Sequence, residues 1–170
     1  IQIAGIFYIV LPFFLITWMN FEDHKFHEMR TDESFFMPKV GAMFLLIWAN
    51  DTFAYLTGRL IGRTKLFERI SPKKTWEGTL GGILMTLLVG FLMGTFFPDS
   101  GSIGFWIGAA VIIAPCAILG DLYESLFKRS LKIKDSGSIL PGHGGILDRF
   151  DAVFFSVPFF MAWTSIYPYL

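Results

Sequence analysis

Acidic side chains stand at the edges of apolar segments in this chain, where ionisable groups are rare. Asp121 directly follows the uncharged stretch 100–120, and a solvated helix face explains it poorly because it abuts apolar sequence. Asp148 and Asp151 open another uncharged stretch and lie three residues apart, so one helical face presents both carboxylates. One of them could cap a helix N-terminus, but two on one face are better explained by a divalent cation. Oxygen ligands, a single cysteine and few histidines favour Mg²⁺ over zinc.

Basic and hydroxyl side chains in a further motif could bind phosphate. The segment "SPKKTWEG" contains Ser71, Lys73, Lys74 and Thr75, and ammonium groups beside hydroxyls suit phosphate oxygens. Anionic lipid headgroups would attract the same lysines without specificity, so this motif alone does not distinguish a phosphate site from general lipid binding. His143 stands between glycines without partners for zinc, which favours a phosphate contact or a structural hydrogen bond.

An Asn-Asp pair lies inside an apolar segment. Asn50 and Asp51 occur in "WANDTFAYLTGR", and Asp51 is the only charged residue among residues 40–58. Such an aspartate can be structural, hydrogen-bonded to a neighbouring helix, but ionisable groups within membrane spans mark functional sites by default. The asparagine beside it favours a polar pocket, so we expect the pair to support a site.

The elements that position these residues follow from composition and charge spacing. Of 170 residues, 54% are hydrophobic and 16% are charged, against about 25% charged in soluble domains. This makeup excludes a disordered chain, the single Cys116 excludes a disulfide scaffold, and zero net charge argues against nucleic-acid binding. Charge-poor windows of about 20 residues predict five membrane spans, at roughly 1–20, 38–58, 78–97, 102–120 and 150–169. The predicted fold is all-α, a polytopic membrane helical bundle whose fourth span continues into a cytoplasmic interfacial amphipathic helix.

The distribution of basic residues orients these spans. Segments 59–77 and 121–151 hold 11 of the 14 basic residues, so the positive-inside rule places both in the cytoplasm. We expect residues 1–170 to form a single membrane-embedded domain with its activity at the cytoplasmic surface. Because the chain begins with Ile1 rather than Met, we expect it to be the C-terminal part of a longer chain. Trp18, Trp76, Trp106 and Trp163 fall near predicted span ends, as an interfacial aromatic belt requires.

Carboxylates for a metal, basic loops for phosphates and an apolar scaffold together suggest phosphoryl or nucleotidyl transfer to a lipid. Residues 125–151, "SLFKRSLKIKDSGSILPGHGGILDRFD", resemble the signature of the phosphatidate cytidylyltransferase family. The segments "NDTFAYLTGRLIGR" and "SPKKTWEG" are similar to upstream motifs of that family, so the resemblance covers roughly residues 40–155. The chain departs from the family pattern at Ala152, where members often carry serine.

The resemblance implies an enzyme that condenses CTP with phosphatidic acid to give CDP-diacylglycerol and pyrophosphate. It implies Mg²⁺ as the cofactor and leaves open whether a second cation such as K⁺ also binds. It assigns Mg²⁺ coordination to Asp121, Asp148 and Asp151, and further catalytic roles to Lys128 and His143. It also implies a set of residues that bind substrate: Asn50, Asp51, Ser71, Lys73, Lys74, Thr75, Arg129, Lys134, Gly144, Gly145 and Arg149. The expected partners are the lipid bilayer and both substrates, with a homodimer left open. The expected location is a bacterial inner membrane, with the site facing the cytoplasm.

Two other functions compete with this interpretation. A CTP-dependent kinase of a polyprenol would share the membrane site but would need a base for the lipid hydroxyl. A transporter would keep its polar residues near the midplane, often in repeated halves, whereas the charges here gather at inner span ends without a repeat.

Overall fold

Helices dominate the part of the chain that the structure, a computed structural model, describes: residues 2–28, 37–131, 133 and 147–169. The bounds of the helices are α1 Gln2–Glu28, α2 Lys39–Ile61, α3 Trp76–Phe96, α4 Ile103–Ser130 and α5 Leu147–Ile166. Two short strands, β1 Lys65–Phe67 and β2 Ser71–Thr75, connect α2 to α3. Short 3₁₀ turns occupy Pro98–Ser100 and Tyr167–Tyr169.

Three helices in these described residues are long and apolar enough to cross a membrane, namely α2, α3 and α4. Helix α5 contains a shorter apolar stretch, Phe150–Ile166. The helical class is therefore confirmed and these three helices fit membrane spans, whereas the count of five spans stays a prediction. Helix α4 continues without a break past position 120 to Ser130, so the predicted fourth span and the segment after it form one helix. Its location along the interface also stays a prediction.

The β-hairpin is a feature that the all-α prediction missed. Strands β1 and β2 are antiparallel, with Lys65 opposite Thr75 and Phe67 opposite Ser71. The N–H of Trp76 donates to the carbonyl of Thr64 at 3.0 Å, which joins the hairpin directly to the first turn of α3. The motif "SPKKTWEG" is therefore β2 followed by the start of a helix. Strands this short and polar carry no alternating apolar pattern from which they could be recognised.

Small residues allow α2 and α3 to pack closely. A Cβ added to Gly78 would lie 2.9 Å from the Cα of Gly58, and one added to Gly82 would lie 2.8 Å from the carbonyl oxygen of Asn50. The two backbones are thus in contact over the inner half of α2, as small residues permit in membrane helix pairs. This contact fixes the position of Asn50 and Asp51 relative to the hairpin.

A second close contact joins α4 to α5 beside the acidic residues. A Cβ added to Gly120 would lie 2.7 Å from the carbonyl oxygen of Asp151 and 3.1 Å from the Cα of Ala152. The neighbouring Asp121 is therefore held next to the start of α5. The glycine is required here because any side chain would separate the helices.

The apolar core lies between α2, α4 and α5 and includes Met43, Leu46, Ile113 and Phe160, each with essentially no exposed surface. Trp106 is also wholly buried in this core, so its predicted place in an interfacial belt is wrong. Its position near a span end did not distinguish a lipid-facing ring from one that faces the neighbouring helices.

Candidate active site

A cavity of about 400 Å³ opens where α2, the hairpin, α3 and α4 meet. Its volume falls within the range of roughly 300–1,000 Å³ that is typical of small-molecule sites. Its polar lining comes mainly from three motifs that are distant in sequence. The lining residues are Asn50, Asp51, Ala54, Tyr55, Gly58, Arg59, Ser71, Lys73, Lys74, Thr75, Thr79, Ile118 and Asp121.

An ion pair crosses this cavity from the hairpin to α4. The ammonium of Lys74 contacts the Oδ2 atom of Asp121, and both side chains are partly exposed to the cavity. The hydroxyl of Ser125, one turn along α4, donates to Asp121 Oδ1 at 3.3 Å. Because both charges remain accessible, a phosphate could bind Lys74 and a cation could bind Asp121 without burying an unpaired charge.

The hairpin is held in place by side chains at the start of α3. Glu77 accepts hydrogen bonds from the backbone N–H of Arg63 at 3.2 Å and of Thr64 at 3.1 Å. Thr75 caps α3, because its Oγ1 accepts from the N–H of Gly78 at 3.2 Å. The strand that carries Lys73 and Lys74 is therefore anchored to α3 at one end and to the end of α2 through Glu77.

Helix α2 contributes an aligned polar face to the cavity. Asn50 is 1% exposed and its buried Oδ1 has no hydrogen-bond partner among the described residues, and Asp51 beside it also lines the cavity. One and two turns further along lie Tyr55 and Arg59, and the guanidinium of Arg59 donates to the Tyr55 hydroxyl at 3.4 Å. Sequence reasoning missed these two residues. The spacing of four residues from Asp51 is the signal that could have found them, because residues i, i+4 and i+8 share a helix face.

Acidic residues on three helices lie in the cavity or beside it. Asp51 and Asp121 line the cavity, and the backbone of Asp151 packs against Gly120, the residue before Asp121. Asp151 is half-buried at the start of α5, and its Oδ1 accepts from the N–H of Ala152 at 2.7 Å. The described lining therefore combines the carboxylates of Asp51 and Asp121 with three cationic side chains, so groups that could bind a cation lie next to groups that could bind phosphate: Arg59, Lys73 and Lys74.

Carboxylate oxygens are ligands of the type that Mg²⁺ prefers. Among the side chains that the structure describes, no group of three or more acidic, histidine or cysteine residues is close enough to form a complete metal site. Protein Mg²⁺ sites, however, usually take one or two carboxylates together with waters and substrate phosphates. Asp121 and Asp151, with Lys74 placed for a phosphate, provide that combination of hard oxygen ligands and charge.

The structure brings together seven of the residues selected from sequence, which all line the cavity: Asn50, Asp51, Ser71, Lys73, Lys74, Thr75 and Asp121. Asp151 lies beside them on α5. Lys128 instead pairs with the buried Glu124 at 3.3 Å, and neither Lys128 nor Arg129 is among the lining residues. Six other selected positions lie outside the described side chains, so their roles stay predictions: Lys134, His143, Gly144, Gly145, Asp148 and Arg149.

Comparison with known proteins gives one consistent result. The chain matches the model of the cytidylyltransferase family over residues 1–167. It is 43% identical to a phosphatidate cytidylyltransferase of Haemophilus influenzae over 123 residues, which cover 69% of this chain and 42% of the relative. A protein of the same name from Staphylococcus epidermidis is 50% identical over 115 residues, 68% of this chain and 44% of the relative. The corresponding Staphylococcus aureus protein is 48% identical over the same shares. The matched part of the chain thus covers less than half the length of these relatives.

Proposed function

Because the chain belongs to the cytidylyltransferase family, we propose that it forms the catalytic part of an enzyme that joins CTP and phosphatidic acid into CDP-diacylglycerol and pyrophosphate. The observation that carries the proposal is the cavity in which Lys74 and Asp121 face each other. This arrangement supports the proposal because an ammonium group that could bind phosphate lies next to a carboxylate that could bind a metal. The names of the bacterial relatives supply the two substrates.

Phosphate binding would fall to the basic and hydroxyl side chains of the cavity. Lys73, Lys74 and Arg59 supply cationic donors, and such charge-assisted hydrogen bonds to phosphate are about twice as strong as neutral ones. The hydroxyl of Ser71 extends this donor set, whereas the hydroxyl of Thr79 donates to the carbonyl of Thr75 at 2.9 Å. The triphosphate of CTP and the headgroup of phosphatidic acid would share this set.

The reaction needs charge neutralisation more than a strong base. A phosphate monoester has a second pKa of about 6, so the phosphatidic acid headgroup is mostly a dianion at neutral pH. Its oxygen would attack the α-phosphorus of CTP, a new P–O bond would form, and pyrophosphate would leave. The approach of one anion to another is the main barrier, and Lys74, Lys73 and Arg59 would lower it electrostatically.

We also propose Mg²⁺ as cofactor, held by Asp121 and Asp151 with Asp148 as the third ligand predicted from sequence. When bound, the ion would neutralise phosphate charge and orient the phosphates. Asp51 would support this end of the cavity, and a second cation such as K⁺ remains a prediction from the family resemblance. The salt bridge from Lys74 would hold Asp121 in place before substrate arrives.

The proposed setting is the inner membrane of a bacterium, crossed by five spans, with the cavity on the cytoplasmic side. The three long apolar helices and the bacterial relatives support the membrane location. The cytoplasmic side is supported by the basic residues of segment 59–77, which end α2 and build the hairpin. A homodimer stays a prediction.

Two radiolabels test the reaction and separate it from a lipid kinase. Membranes that contain the full-length protein would be incubated with phosphatidic acid and CTP labelled at either the α- or the γ-phosphate. We expect the α-label to enter the lipid fraction and the γ-label to leave as pyrophosphate. Transfer of the γ-label to a lipid alcohol would instead establish a kinase, and the absence of label from lipid in both cases would refute the proposal. Asp121→Asn membranes serve as the background control.

A further inference from the structure

The hairpin lies at the ends of two membrane helices. It begins four residues after Ile61, where α2 ends, and β2 runs without a break into α3 at Trp76. Both α2 and α3 are long and apolar enough to span a bilayer. At about 3.3 Å per strand residue, Ser71 at the start of β2 stays within about 16 Å of the start of α3. The hairpin therefore remains near the membrane surface whatever its tilt.

Apolar side chains are exposed on the hairpin and on the helix ends beside it. Phe67, the last residue of β1, is 49% exposed, and Trp76 at the start of α3 is 51% exposed. Leu60 and Ile61 at the end of α2 are 80% and 61% exposed. A single exposed apolar residue means little in a soluble protein, but these four lie around the predicted boundary of the bilayer.

Positive charge surrounds these apolar side chains. Segment 59–77 contains six basic residues and two acidic ones. One of the acidic residues, Glu77, accepts the backbone N–H groups of Arg63 and Thr64. The side chains of Lys65 and Arg69, on either side of Phe67 in sequence, are exposed. Each such cation near a surface raises affinity for anionic lipid by about fivefold.

The two strands divide their contacts between the outside and the cavity. Phe67 pairs with Ser71, and Lys65 pairs with Thr75. Both partners on β2 line the cavity. A contact made by β1 would therefore act directly on the strand that carries Lys73 and Lys74.

We propose that the hairpin docks onto the anionic headgroup layer of the membrane that α2 and α3 span. Phe67 inserts at the boundary between headgroups and acyl chains, and Lys65 and Arg69 bind lipid phosphates. The hairpin then forms the edge of the cavity that faces the lipid. Docking does not depend on the proposed reaction, whereas its effect on a lipid substrate does.

A fluorescent probe at position 67 tests the docking without any measurement of activity. Cys116 and any further cysteine of the full-length protein would first be replaced. The Phe67→Cys variant would then be labelled with an environment-sensitive dye and reconstituted into vesicles. We expect quenching by a spin-labelled anionic lipid to exceed quenching by its zwitterionic counterpart severalfold at low salt. The double variant Lys65→Ser and Arg69→Ser, or addition of 1 M KCl, should bring the ratio of quenching by the anionic lipid to quenching by the zwitterionic lipid close to one. Quenching by aqueous iodide without quenching by lipid would overturn the proposal, and equal quenching by both lipids would overturn its anionic specificity.

A probe at position 84 is the matched control. Leu84 is 65% exposed in the middle of α3, away from the basic segment. We expect lipid quenching there without headgroup preference, and a preference equal to that at position 67 would overturn the assignment of specificity to the hairpin.

The effect on substrate is measured separately. Phe67→Ser should raise the KM for phosphatidic acid about five- to tenfold while the KM for CTP stays unchanged, since only the lipid arrives through the headgroup layer. Phe67→Leu should restore most of the loss. Equal changes in both KM values would overturn the proposed role of the hairpin as the lipid-facing edge of the cavity. A protein that docks but transfers no cytidylyl group would refute the proposed function and leave the docking intact.

Discussion

Gly120→Ala should separate the two helices that hold Asp121 and Asp151, and so reduce activity without unfolding the protein. The new Cβ would lie 2.7 Å from the carbonyl oxygen of Asp151, about 0.7 Å closer than the 3.4 Å at which ordinary contact begins. It would also lie 2.9 Å from the Cβ of Phe155, so relief needs a shift of the α5 backbone and cannot come from one flexible side chain.

The expected magnitudes follow from this shift. Overpacking of this kind costs about 1–3 kcal/mol, and the higher helix propensity of alanine offsets about 1 kcal/mol of that. The net loss of stability should therefore be about 0–2 kcal/mol, and the protein should remain folded. A displacement near 1 Å at reacting groups can reduce the rate about 10²-fold, so we expect a loss of kcat between about tenfold and 10²-fold.

The assay compares label transfer from CTP to lipid with thermal unfolding in detergent. Gly41→Ala is the matched control, because a Cβ there has nothing within 4 Å. This variant should retain full activity and equal or slightly higher stability. Full activity of Gly120→Ala would refute the reasoning that the contact between α4 and α5 aligns the acidic residues.

Four further changes are expected to affect activity in distinct ways. Lys74→Ala should lower kcat/KM by about 10²-fold or more, and Lys74→Arg by less, since charge at the phosphates is retained; equal losses would argue against a purely electrostatic role. Lys73→Ala should raise the KM for CTP or lipid, and unchanged kinetics would assign this lysine to non-specific lipid binding. Asp148→Asn should abolish turnover while the protein stays folded in detergent, and retained activity would remove it from the proposed metal ligands. Chelation of divalent cations should stop the reaction and added Mg²⁺ should restore it, whereas recovery with K⁺ alone would contradict the proposed Mg²⁺ dependence.

Much of the site could be predicted from local patterns. Asp51 was recognised because a charge inside an apolar segment is expensive. Lys73 and Lys74 were recognised because a basic motif with hydroxyls interrupts two apolar segments. Tyr55 and Arg59 were missed, although they occupy the helix face that begins at Asp51, because neither is unusual on its own at the end of a predicted span.

Other predictions depended on features that act across the fold. Lys128 shares a helix face with Asp121 in sequence, but it does not line the described cavity and pairs with Glu124 one turn earlier, so its catalytic role stays a prediction. A helical face spans a wide angle, and only the packing of neighbouring helices decides which part of it borders a cavity. The hairpin was missed for a similar reason, because it is stabilised by Glu77 and by its junction with α3 instead of by an apolar strand pattern.

The sequence by itself determined the helical class, the long apolar helices and the family, because hydropathy, charge spacing and motifs are local properties of the chain. Only the tertiary structure decided that Lys74 faces Asp121 and that Asp151 lies beside them. Those contacts join residues far apart in sequence. They depend on the close approach of backbones at Gly78, Gly82 and Gly120, where the absence of a side chain sets the distance between helices.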